Sequence, residues 1–395
     1  MNLLMISGDR SLAEGKHGAF YNTLEEFHKY WDRVDIICPR VTSNRQIVNG
    51  KRITSYKLPI TLFGNVFIHP SPWPLFLQPL WIWWMGRKLI TNYKLPITDL
   101  VMTVHEYPPF YNGLGAKLLY RTIKVPYILE VMHIPGLPKA GDFKEGIYKW
   151  LMKVVIKWDA SSAKKIRIIN QKQTPDFLVN AGVKKEKLIY IPAFYIDLEV
   201  FKPIINYQLP VTKQYDLVFA ARLEKNKGIF NLIEAIKIAK QKKPDISLLI
   251  IGHGSQLEKL KLLITNYQLQ DNVTFSGWLE GPRDVALAYN RARCFVNPSY
   301  NEGGPRVVLE AMACGLPVIS TPVGLMVDII KDEDNAMFTW WEPMEMAKKI
   351  LLLLNDPSMQ KKFSSAGIEL VKNFEKRDAI KNYADKLKNA VISNS

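Results

Sequence analysis

The chain predicts an α/β protein of two Rossmann-like domains facing each other across a cleft, and three observations carry that prediction. Its 395 residues exceed what one ordinary core holds, so two domains of roughly 190 residues each are expected. Short apolar runs alternate with amphipathic helical stretches through both halves, the pattern of parallel sheets with helices on both faces. Between the halves, near residues 195–213, Phe201-Lys-Pro-Ile-Ile-Asn-Tyr-Gln-Leu-Pro-Val-Thr212 has two prolines and no helical period, as a linker would.

In chain order, the strand-like runs of the first half are Leu3–Ser7, Arg33–Cys38, Leu100–Val104, Tyr127–Val131 and Ile166–Ile169. The second half repeats the rhythm with Asp216–Ala220, Ser247–Ile251, Val273–Ser276, Cys294–Val296 and Pro317–Ser320. In such folds ligands lie at the carboxyl ends of the strands. The expected organisation is a first domain over 1–197, a linker over 198–212, a second domain over 213–372, and a Lys-rich amphipathic helix within 373–395.

The net charge of +16 is uneven: residues 1–200 hold 27 Lys/Arg against 16 Asp/Glu, and residues 201–395 hold 26 against 21. The first half therefore faces something anionic. There is no zinc knuckle, helix-turn-helix or RNA-recognition signature, so nucleic acid is not the expected partner; an anionic membrane surface or a lipid-linked phosphate fits better. Pro72 to Lys88 concentrates Trp73, Trp81, Trp83 and Trp84 ahead of a basic pair. It is too short and proline-broken to span, and is expected to make peripheral membrane contact. A second stretch, Lys144 to Lys165, mixes Tyr148, Trp150 and Trp158 with six lysines and is expected as a helix packed in the domain core. Cys38, Cys294 and Cys314 lie in apolar runs without metal-ligand spacing, as in a reducing compartment. The opening Met-Asn-Leu-Leu-Met-Ile-Ser-Gly is expected as a short strand ending in a glycine loop, not as a signal peptide.

Three segments carry candidate chemistry. Asn301-Glu-Gly-Gly-Pro-Arg-Val-Val-Leu-Glu310 sets Glu302 in a glycine-rich turn beside the N–H groups of a helix start, with Glu310 about two turns on. Such a turn and helix can hold both ends of one nucleotide-sugar. Ala221-Arg-Leu-Glu-Lys-Asn-Lys-Gly228 follows a predicted strand and precedes a helix, which places Arg222 and Lys227 where a diphosphate finds cations and backbone N–H groups. Ile251-Gly-His-Gly-Ser255 closes another strand, although tight strand-to-helix packing explains its glycines equally well.

The Glu302-x7-Glu310 segment with its Ala311-Met-Ala-Cys-Gly-Leu-Pro-Val-Ile319 continuation resembles the signature of retaining GT-B glycosyltransferases, in particular glycosyltransferase family 4, the group 1 glycosyl transferases. The likeness extends over nearly the whole chain and is densest from about residue 215 to 345. It implies a C-terminal helix that crosses back to the N-terminal domain, which would bind the acceptor, and a C-terminal domain that binds the donor. By the same resemblance Arg222 and Lys227 stabilise the departing diphosphate without a metal. Glu310 holds the donor ribose, and Glu302 holds the sugar hydroxyls with the Gly303, Gly304, Pro305 and Arg306 backbone. Gly277, in Val273–Glu280, lies in the segment that lines the nucleobase. His133, after Tyr127–Val131, sits near the transferred sugar; His105 and His253 are weaker candidates. Gly18 stands where the family has a Gly-Gly pair and this chain has His17-Gly18. Pro192-Ala-Phe-Tyr-Ile-Asp197 also departs from the family's Pro-Asn-Gly-Val-Asp turn, which puts the hinge geometry there in doubt.

The implied activity is transfer from a UDP-sugar or GDP-sugar, with retention, to a hydroxyl of a glycan or lipid-linked acceptor. No cofactor is expected, and Asp332-Glu-Asp334 is not expected to bind metal, because it follows no donor strand. The implied location is cytoplasmic, peripheral to a membrane. A sugar-nucleotide epimerase or a non-catalytic sugar-nucleotide-binding protein remains the alternative.

Overall fold

The computed structural model describes residues 1–16, 18–41, 47–48, 51–52, 59–92, 99–192, 194–204 and 213–392. His17 and the linker from residue 205 to 212 lie outside the described residues. Two compact units emerge, one of Met1–His133, Trp150–Ala193 and Arg377–Ser395, the other of Ile134–Lys149 and Phe194–Lys376. Residues 134–149, expected from sequence in the first domain, thus group with the second unit. Their contacts there, such as Lys139 N–H to the Tyr300 carbonyl at 3.2 Å, join residues far apart in sequence, which local patterning does not record.

The first unit runs β1 (Asn2–Ile6), α1 (Ala19–Phe27), β2 (Arg33–Cys38), the small hairpin β3 (Ile47–Val48) and β4 (Lys51–Arg52), β5 (Ile60–Leu62), β6 (Val66–Pro70), α2 (Gln78–Asn92), β7 (Leu100–His105), α3 (Tyr111–Ile123), β8 (Tyr127–Val131), α4 (Phe143–Ala160) from Trp150 onward, β9 (Lys165–Ile168), α5 (Gln173–Asn180) and β10 (Leu188–Tyr190). Its eight-stranded sheet has the order β10-β9-β8-β7-β1-β2-β6-β5, parallel except where β5 runs antiparallel to β6. All five residues of β8 are buried, as strands covered on both faces require. From β1 the chain steps one way through β2 and β6 and the other way through β7 to β10. Right-handed crossovers therefore put α1 on one face and α2 to α5 on the other.

The second unit runs β11 (Tyr215–Ala220), α6 (Ile229–Lys240), β12 (Leu248–Ile251), α7 (Leu257–Asn266), β13 (Val273–Gly277), α8 (Pro282–Asn290), β14 (Ala292–Asn297), α9 (Arg306–Ala313), β15 (Val318–Ser320), α10 (Met326–Ile329), β16 (Met337–Phe338), α11 (Pro343–Asn355) and α12 (Pro357–Val371). Its six strands order as β13-β12-β11-β14-β15-β16, all parallel. The period-2 alternation of each strand splits the core in two. Leu217, Phe219, Leu248 and Ile250 pack with α6, α7 and α11, while Val218, Ala220, Leu249 and Ile251 pack with α8 and α9.

The last helix, α13 (Lys376–Ile392), packs within the first unit. Tyr383 stacks on Phe27 with ring centroids 4.6 Å apart, and Lys388 Nζ donates to the Tyr30 carbonyl at 2.6 Å. Beneath it, Arg167 and Glu130, both fully buried, pair at 2.5 Å, and the Tyr383 hydroxyl donates to Glu130 at 2.9 Å. Burial opposes charge on Glu130, yet Arg167 and His105 hold its carboxyl down to about 2.

The helix α4, expected to bury its aromatics, instead turns Trp150, Val154 and Trp158 outward while Met152, Ile156 and Ala160 face the core. Both sides of this helix are apolar, so periodicity alone could not say which was inside.

Candidate functional site

Arg222 stands exposed just beyond the carboxyl end of β11. The loop that follows it is zipped to the loop after β12. Leu223 is fully buried; its N–H donates to the His253 carbonyl at 3.0 Å and its carbonyl accepts from Gln256 N–H at 3.0 Å. The Glu224 carboxylate accepts from Ser255 Oγ at 2.6 Å and from Ser255 N–H at 3.1 Å, and these bonds hold it below the usual carboxylate range. The Gly252-His-Gly-Ser255 turn is thereby accounted for as a brace of the Arg222–Gly228 loop.

That loop closes with a 3-10 turn over Lys225–Lys227 and Gly228 at φ +66. An added Cβ at Gly228 would overlap the Pro298 carbonyl, so left-handed backbone and close approach both demand glycine. The crossing brings Lys227 to Glu302: Lys227 Nζ is ion-paired with Glu302 Oε1, both side chains largely shielded.

Glu302 leaves the turn after β14. Ser299 Oγ lies 3.1 Å from Glu302 Oε1 and 3.0 Å from Asn297 Oδ1, and can donate its one proton to either. The Ser299 carbonyl accepts from Thr321 Oγ1 at 2.6 Å and Trp341 Nε1 at 2.9 Å. Leu325 N–H donates to the Gly303 carbonyl at 3.0 Å, and Gly324, at φ +51, comes so near that any Cβ would strike the Glu302 and Gly303 carbonyls. Gly304 is covered by the Phe194 ring, which an added Cβ would overlap.

Pro305 precedes α9, so the free N–H groups of the helix start lie directly after the Gly303-Gly304 turn. Arg306, in the first turn, sets its guanidinium 4.4 Å from the Tyr195 ring. One turn on, Glu310 accepts from the Tyr289 hydroxyl at 3.5 Å. Burial pushes the Glu310 carboxyl up to about 7, against the opposing pull of Arg306 and of the Tyr289 hydroxyl. A carboxylate held this way gains from hydroxyl donors that stabilise its charge.

A side-chain cluster that sequence did not single out completes the turn. The fully buried Asn301 donates to the Lys139 carbonyl at 2.9 Å and to Glu145 Oε2 at 2.8 Å, and Glu145 Oε2 also accepts from Gly141 N–H at 2.7 Å. Lys139 Nζ lies 5.2 Å from the Tyr300 ring and 5.0 Å from the Trp341 ring. Ser299 was also missed, although a serine three residues before Glu302 in a non-helical turn stands within reach of its carboxylate.

Of the predicted residues, then, Lys227, Glu302, Gly303, Gly304, Pro305, Arg306 and Glu310 form one continuous arrangement, and Arg222 opens the loop that Lys227 closes. Gly277 ends β13 at φ +72, its carbonyl accepting from Gly252 N–H at 2.8 Å. Gly18 and His133 belong to the first unit. Gly18 precedes α1 with φ −107, and an added Cβ would meet no atom within 4 Å, so the chain's own packing does not require glycine there. His133 is half-buried two residues beyond β8. His105, at the end of β7, sets Nε2 2.8 Å from Glu130 Oε2.

Asp332, Glu333 and Asp334 are spent singly: Asp332 accepts from Phe338 N–H at 2.7 Å, Glu333 pairs with Lys349 at 3.4 Å and Asp334 with Lys362 at 3.1 Å. A basic cavity of about 760 Å³ lined by Lys242, Lys243, Arg293 and Lys348 opens in the second unit. It lies by the amino ends of β11 and β14, the opposite end of the sheet from Glu302, and Asp216 pairs with its Arg293 at 3.0 Å and Lys243 at 3.4 Å.

A family model described as Glycosyl transferases group 1 matches residues 202–370. An uncharacterized glycosyltransferase of Methanocaldococcus jannaschii is 30% identical over 328 residues, 79% of this chain and 82% of that protein. The chain belongs to the group 1 glycosyl transferases. A second uncharacterized glycosyltransferase of the same organism is 25% identical over 386 residues, 93% of each chain. Among solved structures, a sucrose-phosphate synthase from Thermosynechococcus elongatus superposes with a TM-score of 0.75 at 20% identity, covering 96% of both chains. Anabaena HepE in complex with UDP superposes with a TM-score of 0.71 at 17% identity, covering 98% of this chain and 99% of that one. These likenesses establish that this group 1 glycosyl transferase has the GT-B fold of two Rossmann-like, parallel-sheet domains.

Proposed function

We propose that this glycosyl transferase moves a sugar from a UDP-sugar or GDP-sugar to a hydroxyl of a glycan or lipid-linked acceptor, with retention at the anomeric carbon and without a metal. The observation that carries the reading is the pairing of Lys227 with Glu302 at the start of α9, one helical stretch ahead of Glu310. A cation, a glycine turn at a helix start and two carboxylates supply partners for the diphosphate, the sugar hydroxyls and the ribose of one nucleotide-sugar. As the bond from the anomeric carbon to the diphosphate breaks, negative charge grows on the leaving phosphate, which takes the proton of the acceptor hydroxyl as its oxygen bonds that carbon. Lys227 and Arg222 are the fixed cations that take it up. Glu302 receives the sugar hydroxyls and Glu310 the ribose, while Gly277 borders the base and Gly18 approaches the phosphates. His133 contributes at the reaction centre, and no residue is assigned as a covalent nucleophile.

Two further facts support the reading, the first bearing on the donor and the second on the reaction class. HepE, of the same fold, is described in complex with UDP-glucose, and a relative 24% identical over 242 residues is a Bacillus subtilis poly(glycerol-phosphate) alpha-glucosyltransferase. Peripheral membrane contact on the cytoplasmic side, through Trp73–Lys88, belongs to the same proposal. It is supported by the outward-facing Trp73, Leu75, Phe76, Leu80 and Trp84; among the described residues no helix is long and apolar enough to cross a membrane.

The test is a thermal-shift panel of UDP- and GDP-sugars in EDTA, since a ligand at a hundred times its dissociation constant stabilises by about 2.7 kcal/mol. NMR of the product formed from the stabilising donor then reads the anomeric configuration. A shift by one donor, followed by transfer in EDTA with the donor's configuration kept, is expected. No shift by any nucleotide-sugar, or an inverted product, would refute the reading.

A further inference from the structure

We infer that α4 is a second limb of the membrane-docking face, so that α2 and α4 together seat the protein on an anionic lipid bilayer. This deepens the contact proposed above for Trp73–Lys88. The carrying observation is an outward apolar stripe on α4. Trp150 is 62% and Val154 59% exposed, and Trp158 is also exposed. Steps of four residues put these side chains on one helical face. The helix already has an inner apolar side in Met152, Ile156 and Ala160, so the outer stripe is not needed for the core.

The same helical layer carries the second set of exposed apolar groups. On the turn ahead of α2, Leu75 is 50% and Phe76 65% exposed, with Leu80 and Trp84 following on the helix. The helix α3 joins the two limbs. Gly86 of α2 abuts Leu119 and Gly115 of α3 abuts Ile82, while Lys117 of α3 donates to the Trp158 carbonyl at 2.6 Å and lies 3.6 Å from the Trp158 ring.

Charge identifies the occupant. The exposed companions of these apolar groups are Lys153 and Lys157 on α4 and Arg87 and Lys88 on α2, with Lys88 Nζ 5.3 Å from the Trp84 ring. Protein interfaces are depleted in lysine at their centres, and a second copy of this face would set lysine against lysine. At a bilayer the arrangement is favourable on both counts. Aromatic bodies enter the headgroup boundary while lysine stems lie along them and lift their ammonium groups to lipid phosphates.

The experiment is co-sedimentation of the full chain with phosphatidylcholine vesicles, with and without phosphatidylglycerol. Wild type is compared with Trp150→Ser/Val154→Ser and with Leu75→Ser/Phe76→Ser, each checked for an unchanged melting temperature. Wild type is expected to bind only the anionic vesicles and to release as salt rises, and each pair is expected to weaken binding about tenfold or more. If the α4 pair binds like wild type while the α2 pair is lost, α4 is no limb and the inference fails with the α2 contact intact. If wild type ignores anionic vesicles, both fail together. If wild type is a dimer by light scattering and the α4 pair is a monomer, the stripe is a protein interface and the inference is overturned.

Discussion

Replacing Glu310 by glutamine should make the protein more stable and its donor binding weaker, and the stability gain should depend on pH. Burial raises the Glu310 carboxyl from 4.5 to about 7, so the fold favours its neutral form. The stability tied to that neutral form is fully present below the unfolded value and is lost as pH rises through the folded one. At 1.36 kcal/mol per unit, the penalty carried by wild type at pH 8 is about 3 kcal/mol, and the half-buried setting discounts it to about 1–3 kcal/mol. At pH 5 the folded carboxyl is already protonated and the penalty falls to under about 1 kcal/mol. Glutamine copies the shape of the protonated acid without its titration. Urea unfolding of wild type and Glu310→Gln at both pH values, with an unchanged m-value as the control, measures the difference directly. A gain near zero at pH 8, or one equal at pH 5 and 8, would refute the claim that the fold carries a strained carboxylate there.

Three other predictions follow from the same geometry. Gly228→Ala, which forces a side chain into left-handed backbone against the Pro298 carbonyl, is expected to cost about 1–3 kcal/mol and to weaken donor binding through displacement of Lys227, as calorimetry would show. Arg167→Met strands Glu130 in the core beside Tyr383 and is expected to destabilise the first unit by about 3–5 kcal/mol in thermal or chemical unfolding. In wild type the depressed Glu130 contributes stability above its unfolded value, lost as pH falls from 4.5 toward about 2. Acid unfolding should therefore steepen across that window, and Arg167→Met should remove the dependence.

The strands were legible because parallel strands buried on both faces must be written in nearly unbroken Leu, Ile and Val, as in Leu248-Leu-Ile-Ile251. The short and outer strands were not: Val66–Pro70 carries a histidine and a proline, and β5, β10 and β16 run for only two or three residues. The residues proposed for the donor were picked out by glycine turns at strand ends, but which of them meet was not legible. That Lys227 reaches Glu302 depends on Gly228 crossing beneath Pro298, a contact between backbones. The grouping of residues 134–149 with the second unit was hidden because its contacts are far apart in sequence: Asn301 bonds both the Lys139 carbonyl and the Glu145 carboxylate. The outer stripe of α4 shows the complementary limit, in that a helix apolar on two sides does not announce which side is covered.

Glu302, paired with Lys227, is the residue proposed to act on the transferred sugar. Steady-state transfer by Glu302→Gln, with the donor identified from the nucleotide-sugar panel, tests it most directly. The variant is expected to fold, to retain binding of the free nucleotide diphosphate, and to lose turnover by about 10²–10³-fold, as expected for removal of one interaction made at the reacting group. Transfer at the wild-type rate by a folded Glu302→Gln protein would contradict the account.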